Sequence, residues 1–115
     1  MRIRERVVKN VTILELEGKM ILGDGDVQLV RKVEELVEKG SKAILLSLPK
    51  MAYTDSGGLG ALVASFTTLA RAGGRLKLLD PTKKVKDLLT ITKLITVYEV
   101  FDNEEEAIAS FEVHR

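Results

Sequence analysis

The run Ala43-Ile44-Leu45-Leu46-Ser47-Leu48, bounded by Lys42 and Pro49, restricts the fold more than any other segment of this chain. It is too short for a stable helix, and it lacks the polar alternation of a strand with one wet face. It fits a buried central strand, the kind found in parallel sheets. Parallel strands are joined by crossover connections, usually helices, so the flanking segments should carry helical periodicity.

They do. From Val27 the apolar positions Leu29, Val30, Val33, Leu36 and Val37 fall on one helical face, with Arg31, Lys32, Glu34, Glu35 and Glu38 on the other, and Gly40 stops the helix. Asp55-Ser56 opens a second helix lined by Leu59, Leu62, Val63, Phe66, Leu69 and Ala70, ended by Gly73-Gly74. Leu76, Leu78 and Leu79 form the next strand, cut off at Asp80-Pro81. A third helix, roughly Lys83 to Ile91, buries Val85, Leu88 and Leu89. Val97-Tyr98-Glu99-Val100-Phe101 reads as the last strand, and Asp102 or Asn103 caps a closing helix through Ala107, Ile108 and Phe111. Upstream, Arg2 to Val8 is a weak strand, Lys9-Asn10 a polar break, and Val11 to Glu17 a β-branched strand ending at Gly18, which together make a hairpin. Leu22-Gly23-Asp24-Gly25-Asp26 is a loop whose aspartates are placed to cap the helix that follows.

The order β-β-α-β-α-β-α-β-α describes an α/β fold: one domain over residues 1–115, a mostly parallel central sheet with an opening hairpin, the first strand at or near an edge. With no second core expected, the helices should pack mainly on one face. Repeats, linkers and low-complexity tracts are not visible.

Composition closes off several function classes. The chain has 115 residues, 45% hydrophobic and 30% charged, as in an ordinary globular domain. The absence of cysteine excludes a disulfide scaffold, a thiolate metal site and a cysteine nucleophile. Met1-Arg2-Ile3-Arg4-Glu5-Arg6 does not read as a signal peptide, and no stretch approaches the roughly 18 apolar residues of a membrane span, so a cytoplasmic location is expected. A net charge of +1 with interspersed signs and 4% aromatic residues give no basis for nucleic-acid binding.

The unusual stretch is Tyr53-Thr54-Asp55-Ser56-Gly57-Gly58-Leu59-Gly60. Glycines inside a helix cost roughly 1 kcal/mol each relative to alanine, so a chain that keeps them there needs close backbone approach, from its own core or from a partner. Ser56 begins the helix, which places its hydroxyl near free backbone N–H groups at the positive end of the helix dipole. Two readings stand side by side: Asp55 or Ser56 is simply an N-cap over tightly packed glycines, or the hydroxyl is there to be used.

Catalytic use fits poorly. A nucleophile elbow needs glycine on both sides of the serine, and Thr54 stands where the first should be. The one histidine is His114, near the end of the chain, so no serine triad can be assembled. Leu59-Gly60-Ala61 follows where a Walker loop requires Gly-Lys-Ser/Thr. The chain is therefore read as a non-enzyme without cofactors or metal. Asp24 and Asp26 resemble the start of a calcium loop, but Leu29 occupies its glycine position and Glu35 its last ligand position, inside a helix. They read as loop and cap residues. Lys83, Lys84 and Lys86 form a small basic patch at a helix start, either a solvated face or a contact for an acidic partner surface.

Asp55-Ser56-Gly57-Gly58-Leu59-Gly60 after an apolar strand resembles the D-S-x-G-L-G signature of STAS domains, specifically the stand-alone bacterial anti-sigma factor antagonists. The likeness extends to the opening hairpin, the helix ending at Gly40, the strand Ile44 to Leu48, Gly73-Gly74 before Leu76 to Leu79, and Leu88 to Leu94. In two places the chain departs from the family. Gly18-Lys19-Met20-Ile21 stands where many members have a Gly-acidic-apolar-Asp run, with acids arriving only at Asp24 and Asp26. Gly57 follows Ser56 where Ser, Thr or Ala is more usual.

The resemblance implies that Ser56 is the phosphorylation site and that Asp55, Ser56, Gly57, Gly58, Leu59, Asp24 and Asp26 make the partner-binding surface. The implied partners are an anti-sigma factor with serine kinase activity, bound by the unphosphorylated protein and released on phosphorylation, and a phosphatase that resets the switch. A monomer is the simplest expectation for a domain that exchanges partners. A competing reading is a STAS accessory subunit that docks constitutively on a lipid-transport ATPase. A small esterase using Ser56 and a small-nucleotide binder are further alternatives, without a usable histidine or a dedicated phosphate loop to support them.

Overall fold

The computed structural model describes residues 1–112. Its central element is β3 (Ala43–Ser47). It lies parallel to β2 (Val11–Met20) on one side and to β5 (Arg75–Leu79) on the other. β1 (Arg2–Val8) pairs antiparallel with β2 at one edge, and a two-residue β6 (Val100–Phe101) extends the sheet beyond β5. The strand order is β1-β2-β3-β5-β6. Lys9 and Asn10, both at positive φ, make the hairpin turn.

Strand periodicity sorts the side chains into two clusters. Leu14, Leu16, Ile44, Leu46, Leu76 and Leu78 face the larger one, where they meet Leu29, Val33 and Leu36 of α1 (Gly25–Glu38) and Leu59, Leu62 and Leu69 of α2 (Ser56–Arg71). Val85 and Leu89 of α3 (Lys83–Ile91) complete it. The residues between, Val11, Ile13, Leu45 and Leu79, point to the opposite face and are covered by Ala107 and Ile108 of α4 (Glu104–Glu112). Three helices therefore pack on one face. The expectation of a single core needs correcting, because a strand apolar on both faces exposes its second row unless something covers it, and α4 does so.

Lys77 of β5 also points to the α4 side and is 1% exposed. Its ammonium donates to Ser110 Oγ at 2.9 Å, pairs with Glu99 at 2.8 Å and lies 4.6 Å from the Phe111 ring centroid. A buried ammonium is tolerated where it is paired and hydrogen-bonded in this way.

Three local readings differ from the structure. β2 does not stop at Gly18. It passes through that residue at φ 107° with a register irregularity and runs on to Met20. That extension pairs with a strand not anticipated from the sequence, β4 (Met51–Thr54), through Lys19 with Tyr53 and Met20 with Thr54. The last strand is shorter than expected, because Leu94–Thr96 forms a 3-10 turn and only Val100–Phe101 pair. Of the two candidates for capping α4, Asn103 is the one whose side chain accepts a helix N–H, that of Glu106 at 3.0 Å.

Candidate functional site

β4 delivers the chain to the start of α2, and the local sequence explains how it turns. Asp55 is the N-cap: its backbone is extended and its Oδ1 accepts the N–H of Gly58 at 3.0 Å. Its other oxygen, Oδ2, accepts the N–H of Leu22 in the loop between β2 and α1 at 3.2 Å. Both carboxylate oxygens are thus engaged by backbone donors. Those of Gly58, first, and of Leu22 hold the Asp55 carboxyl below its ordinary range.

The glycines answer to different demands. A Cβ on Gly58 would run into Thr54 Oγ1 and the carbonyl oxygen of Met20, which are already joined by a buried hydrogen bond of 2.9 Å in which the threonine donates. A Cβ on Gly57 would fall 2.7 Å from Leu22 Cβ and 2.8 Å from Leu22 Cα. At Gly60 there is nothing within 4 Å. Gly57 and Gly58 let the helix start press against the β2–α1 loop and the end of β2. Gly60 leaves the outer face of the helix bare.

Ser56, the first residue of α2, is exposed. Its hydroxyl makes no hydrogen bond among the described residues. Around it stand apolar side chains that the core does not take up: Leu22 is 73% exposed and Ile91 77%, and Tyr53 is also exposed; Val63 is exposed two turns further along α2. From Ser56 onward the first charged residue of α2 is Arg71, at its far end. An uncharged outer helix face with exposed apolar neighbours is the composition of an interaction surface, not of a solvated helix.

Two grooves flank this helix start. One, about 440 Å³, runs between α1 and α2 and is lined by Asp26, Val27, Val30, Gly57, Gly60 and Ala64 among others. The other, about 520 Å³, lies between α2 and α3, with Tyr53, Ser56, Leu59, Lys84, Asp87 and Ile91 along it. Ser56 and Gly57 sit side by side where the two grooves are separated.

The residues singled out from the sequence are brought together unevenly. Asp55, Ser56 and Gly57 form the helix start itself. Gly58 and Leu59 are buried and shape the surface from beneath. Asp24 occupies the N-cap position of α1 but its side chain makes no capping bond, whereas Asp26 Oδ1 accepts the N–H groups of Asp24 and Val27 at 2.9 and 2.7 Å and so folds the loop. Asp26 lines the α1–α2 groove; Asp24 is exposed beside it in the chain. His114 lies outside the described residues. Reading by motif passed over Leu22, Tyr53 and Ile91. The available signal was an apolar residue inside a loop, a short exposed strand or a helix end, none of which distinguishes presentation from packing.

Among the described residues no helix is long and apolar enough to cross a membrane. A family model described as the STAS domain matches residues 2–107. An "Anti-sigma F factor antagonist" of Paenibacillus polymyxa is 27% identical over 105 residues, 91% of this chain and 90% of that protein. A Thermotoga maritima crystal structure, provisionally named an anti-sigma factor antagonist, superposes with a TM-score of 0.88 at 24% identity, covering 96% of this chain and 94% of the other. The Bacillus cell fate determinant SpoIIAA in its phosphorylated form superposes with a TM-score of 0.74 at 21% identity, covering 95% of this chain and 98% of the other.

Proposed function

This chain belongs to the STAS domain family, and we propose that it is an anti-sigma factor antagonist whose partner binding is switched by phosphorylation of Ser56. The observation that carries the reading is the placement of the Ser56 hydroxyl. It is exposed at the start of α2, beside a carboxylate already engaged by two backbone donors, and within a set of exposed apolar side chains. The curated name of the Paenibacillus relative and the existence of phosphorylated SpoIIAA support it in kind.

In the unmodified protein the uncharged face of α2, with Leu22, Tyr53 and Ile91 around it, is the surface on which an anti-sigma factor docks. Burial of such side chains supplies affinity at roughly 25 cal/mol per Å² before the costs of association. The kinase activity resides in that partner. Ser56 Oγ attacks the γ-phosphorus of ATP, the bond to ADP breaks, and the hydroxyl proton passes to a base of the kinase. The product carries about −1.5 to −2 charges. The start of α2 offers this anion the positive end of the helix dipole, so the domain stays folded. The interface does not survive, because a hydrated dianion beside the Asp55 carboxylate stands where an apolar contact has to form. A phosphatase that hydrolyses the ester restores the binding form. The protein works as a cytoplasmic interaction module and supplies no catalysis of its own.

Phosphopeptide mass spectrometry on the protein recovered from its native cells, with a pull-down comparing wild type and Ser56→Asp, tests this. Phosphate on Ser56, and an ATP-binding kinase retained by wild type alone, is the expected result. An unmodified Ser56 with a transporter ATPase retained equally by both forms overturns it and makes the chain a constitutive accessory subunit.

A further inference from the structure

We propose that Lys84 is an intramolecular reader of the Ser56 phosphate: on phosphorylation its ammonium leaves the ring of Tyr53, pairs with the phosphate and draws the α2–α3 groove closed. The inference rests on Ser56 being a phosphoacceptor, as proposed above, and adds what the modified protein does to itself.

Ser56, Tyr53, Asp55, Lys84 and Asp87 all line the groove between α2 and α3, and among the described residues Lys84 is the one cation in that lining. The charges near it are already paired off. Asp55 gives both oxygens to backbone N–H groups of Gly58 and Leu22. Asp87 accepts from Lys83 at 3.0 Å, an i,i+4 pair along α3. Lys84 makes no ion pair among the described residues and rests its ammonium 5.5 Å from the Tyr53 ring centroid. An exposed cation–π contact is weak. A phosphate two charges stronger than any neutral neighbour, arriving in the same groove, outcompetes it, because charge-assisted bonds to phosphate are roughly twice as strong as neutral ones.

The consequence for the partner surface is specific. In the unmodified protein Lys84 lies against Tyr53 and leaves Ser56 uncovered. In the phosphorylated protein the lysine stem spans from α3 to the start of α2, over the apolar floor made by Leu59 and Leu88. Release of a partner then has two sources: the charge placed on Ser56 and the loss of the groove beside it.

The test uses phosphoserine installed at position 56 during synthesis, so the outcome does not depend on whether any kinase modifies the protein in cells. The second ionisation of the phosphate is followed by phosphorus NMR in wild type, Lys84→Gln, Lys84→Arg and Lys83→Gln backgrounds, with the Tyr53 ring protons as a second readout. Lys84 is exposed, so its variants remain folded. The expected result is a phosphate that titrates at least about 0.3 unit lower in wild type and Lys84→Arg than in Lys84→Gln, with Tyr53 ring shifts that move on phosphorylation only when position 84 is cationic. Lys83→Gln, whose lysine is held by Asp87, should titrate as wild type does. Identical titration in wild type and Lys84→Gln, or an equal change from Lys83→Gln, overturns the proposal. Absence of phosphate from Ser56 in cells would instead remove the functional reading beneath it, and the mass spectrometry above detects that separately.

Discussion

Asp55 accepts the backbone N–H of Leu22 at 3.2 Å, so the loop that presents the most exposed leucine at the site is tied to the carboxylate that caps the helix of Ser56. One side chain thereby sets the geometry of both α2 and the β2–α1 loop. Asp55→Ala is expected to lower the unfolding midpoint and to mobilise Leu22, seen as faster amide exchange there. Asp55→Asn keeps an acceptor for one of the two donors and should fall between. The carboxyl titrates lower folded than unfolded because its hydrogen bonds favour the charged form. Its contribution is therefore complete above the unfolded value near 4, and it is lost as pH falls through the lowered folded value. Asp55→Ala should flatten the acid limb of the stability profile, measured by denaturant titration between about pH 2 and 5.

The glycines of the signature should separate cleanly. Gly58→Ala forces a methyl group against Thr54 Oγ1 and a backbone carbonyl that cannot retreat, at a cost of about 1–3 kcal/mol or more. Gly60→Ala meets nothing within 4 Å and replaces the poorer helix former, so it should stabilise by about 0.5–1 kcal/mol. Urea unfolding of the two variants checks both signs.

Thr54 joins β4 to the extended end of β2 through its hydroxyl, donated to Met20 O at 2.9 Å and buried. Thr54→Val preserves shape but leaves that carbonyl short of a partner, with an expected loss of about 1–3 kcal/mol. Thr54→Ser, which keeps the donor, should lose less. Equal losses in the two variants would mean that packing of the methyl group, not the hydrogen bond, fastens β4.

Lys77 offers a contrast between charge and volume. Its carboxylate partner Glu99 is half exposed and Ser110 has a second bond to Ala107 O at 2.6 Å, so removing the ammonium strands no buried group among these. Lys77→Met should be close to neutral, within about 1 kcal/mol. Lys77→Ala opens a cavity under α4 and should cost about 2–4 kcal/mol. Thermal unfolding of the pair decides which property matters.

Most of the architecture was legible because it is written in local periodicity. The apolar faces of α1 and α3 and the unbroken Ile44–Leu46 run need no knowledge of the rest of the chain. What escaped was decided by distant pairing. Met51–Thr54 is a strand because the end of β2 is there to bond it, and four residues with two exposed in the middle show no period of their own. Gly18 looked like a terminus, since glycine at positive φ commonly ends a strand, yet here it makes an irregularity that the strand survives. Val97 to Glu99 have strand composition, but follow a 3-10 turn, Leu94–Thr96, that Lys93 opens from the left-handed region. At the site, Ser56 and Asp55 were visible as a motif. The exposure of Leu22, Tyr53 and Ile91, and the seat of Lys84 across the groove, depend on how three helices and a loop meet, which no window of sequence contains.

The measurement that bears most directly on the central claim is the affinity of the anti-sigma partner, once retrieved by wild-type protein, for the unmodified chain and for the chain carrying phosphoserine at position 56. Isothermal titration should show binding to the unmodified protein and a loss of at least about tenfold on phosphorylation, equivalent to about 1.4 kcal/mol or more. Equal affinity for the two forms would contradict the account and leave Ser56 as a residue that merely starts a helix.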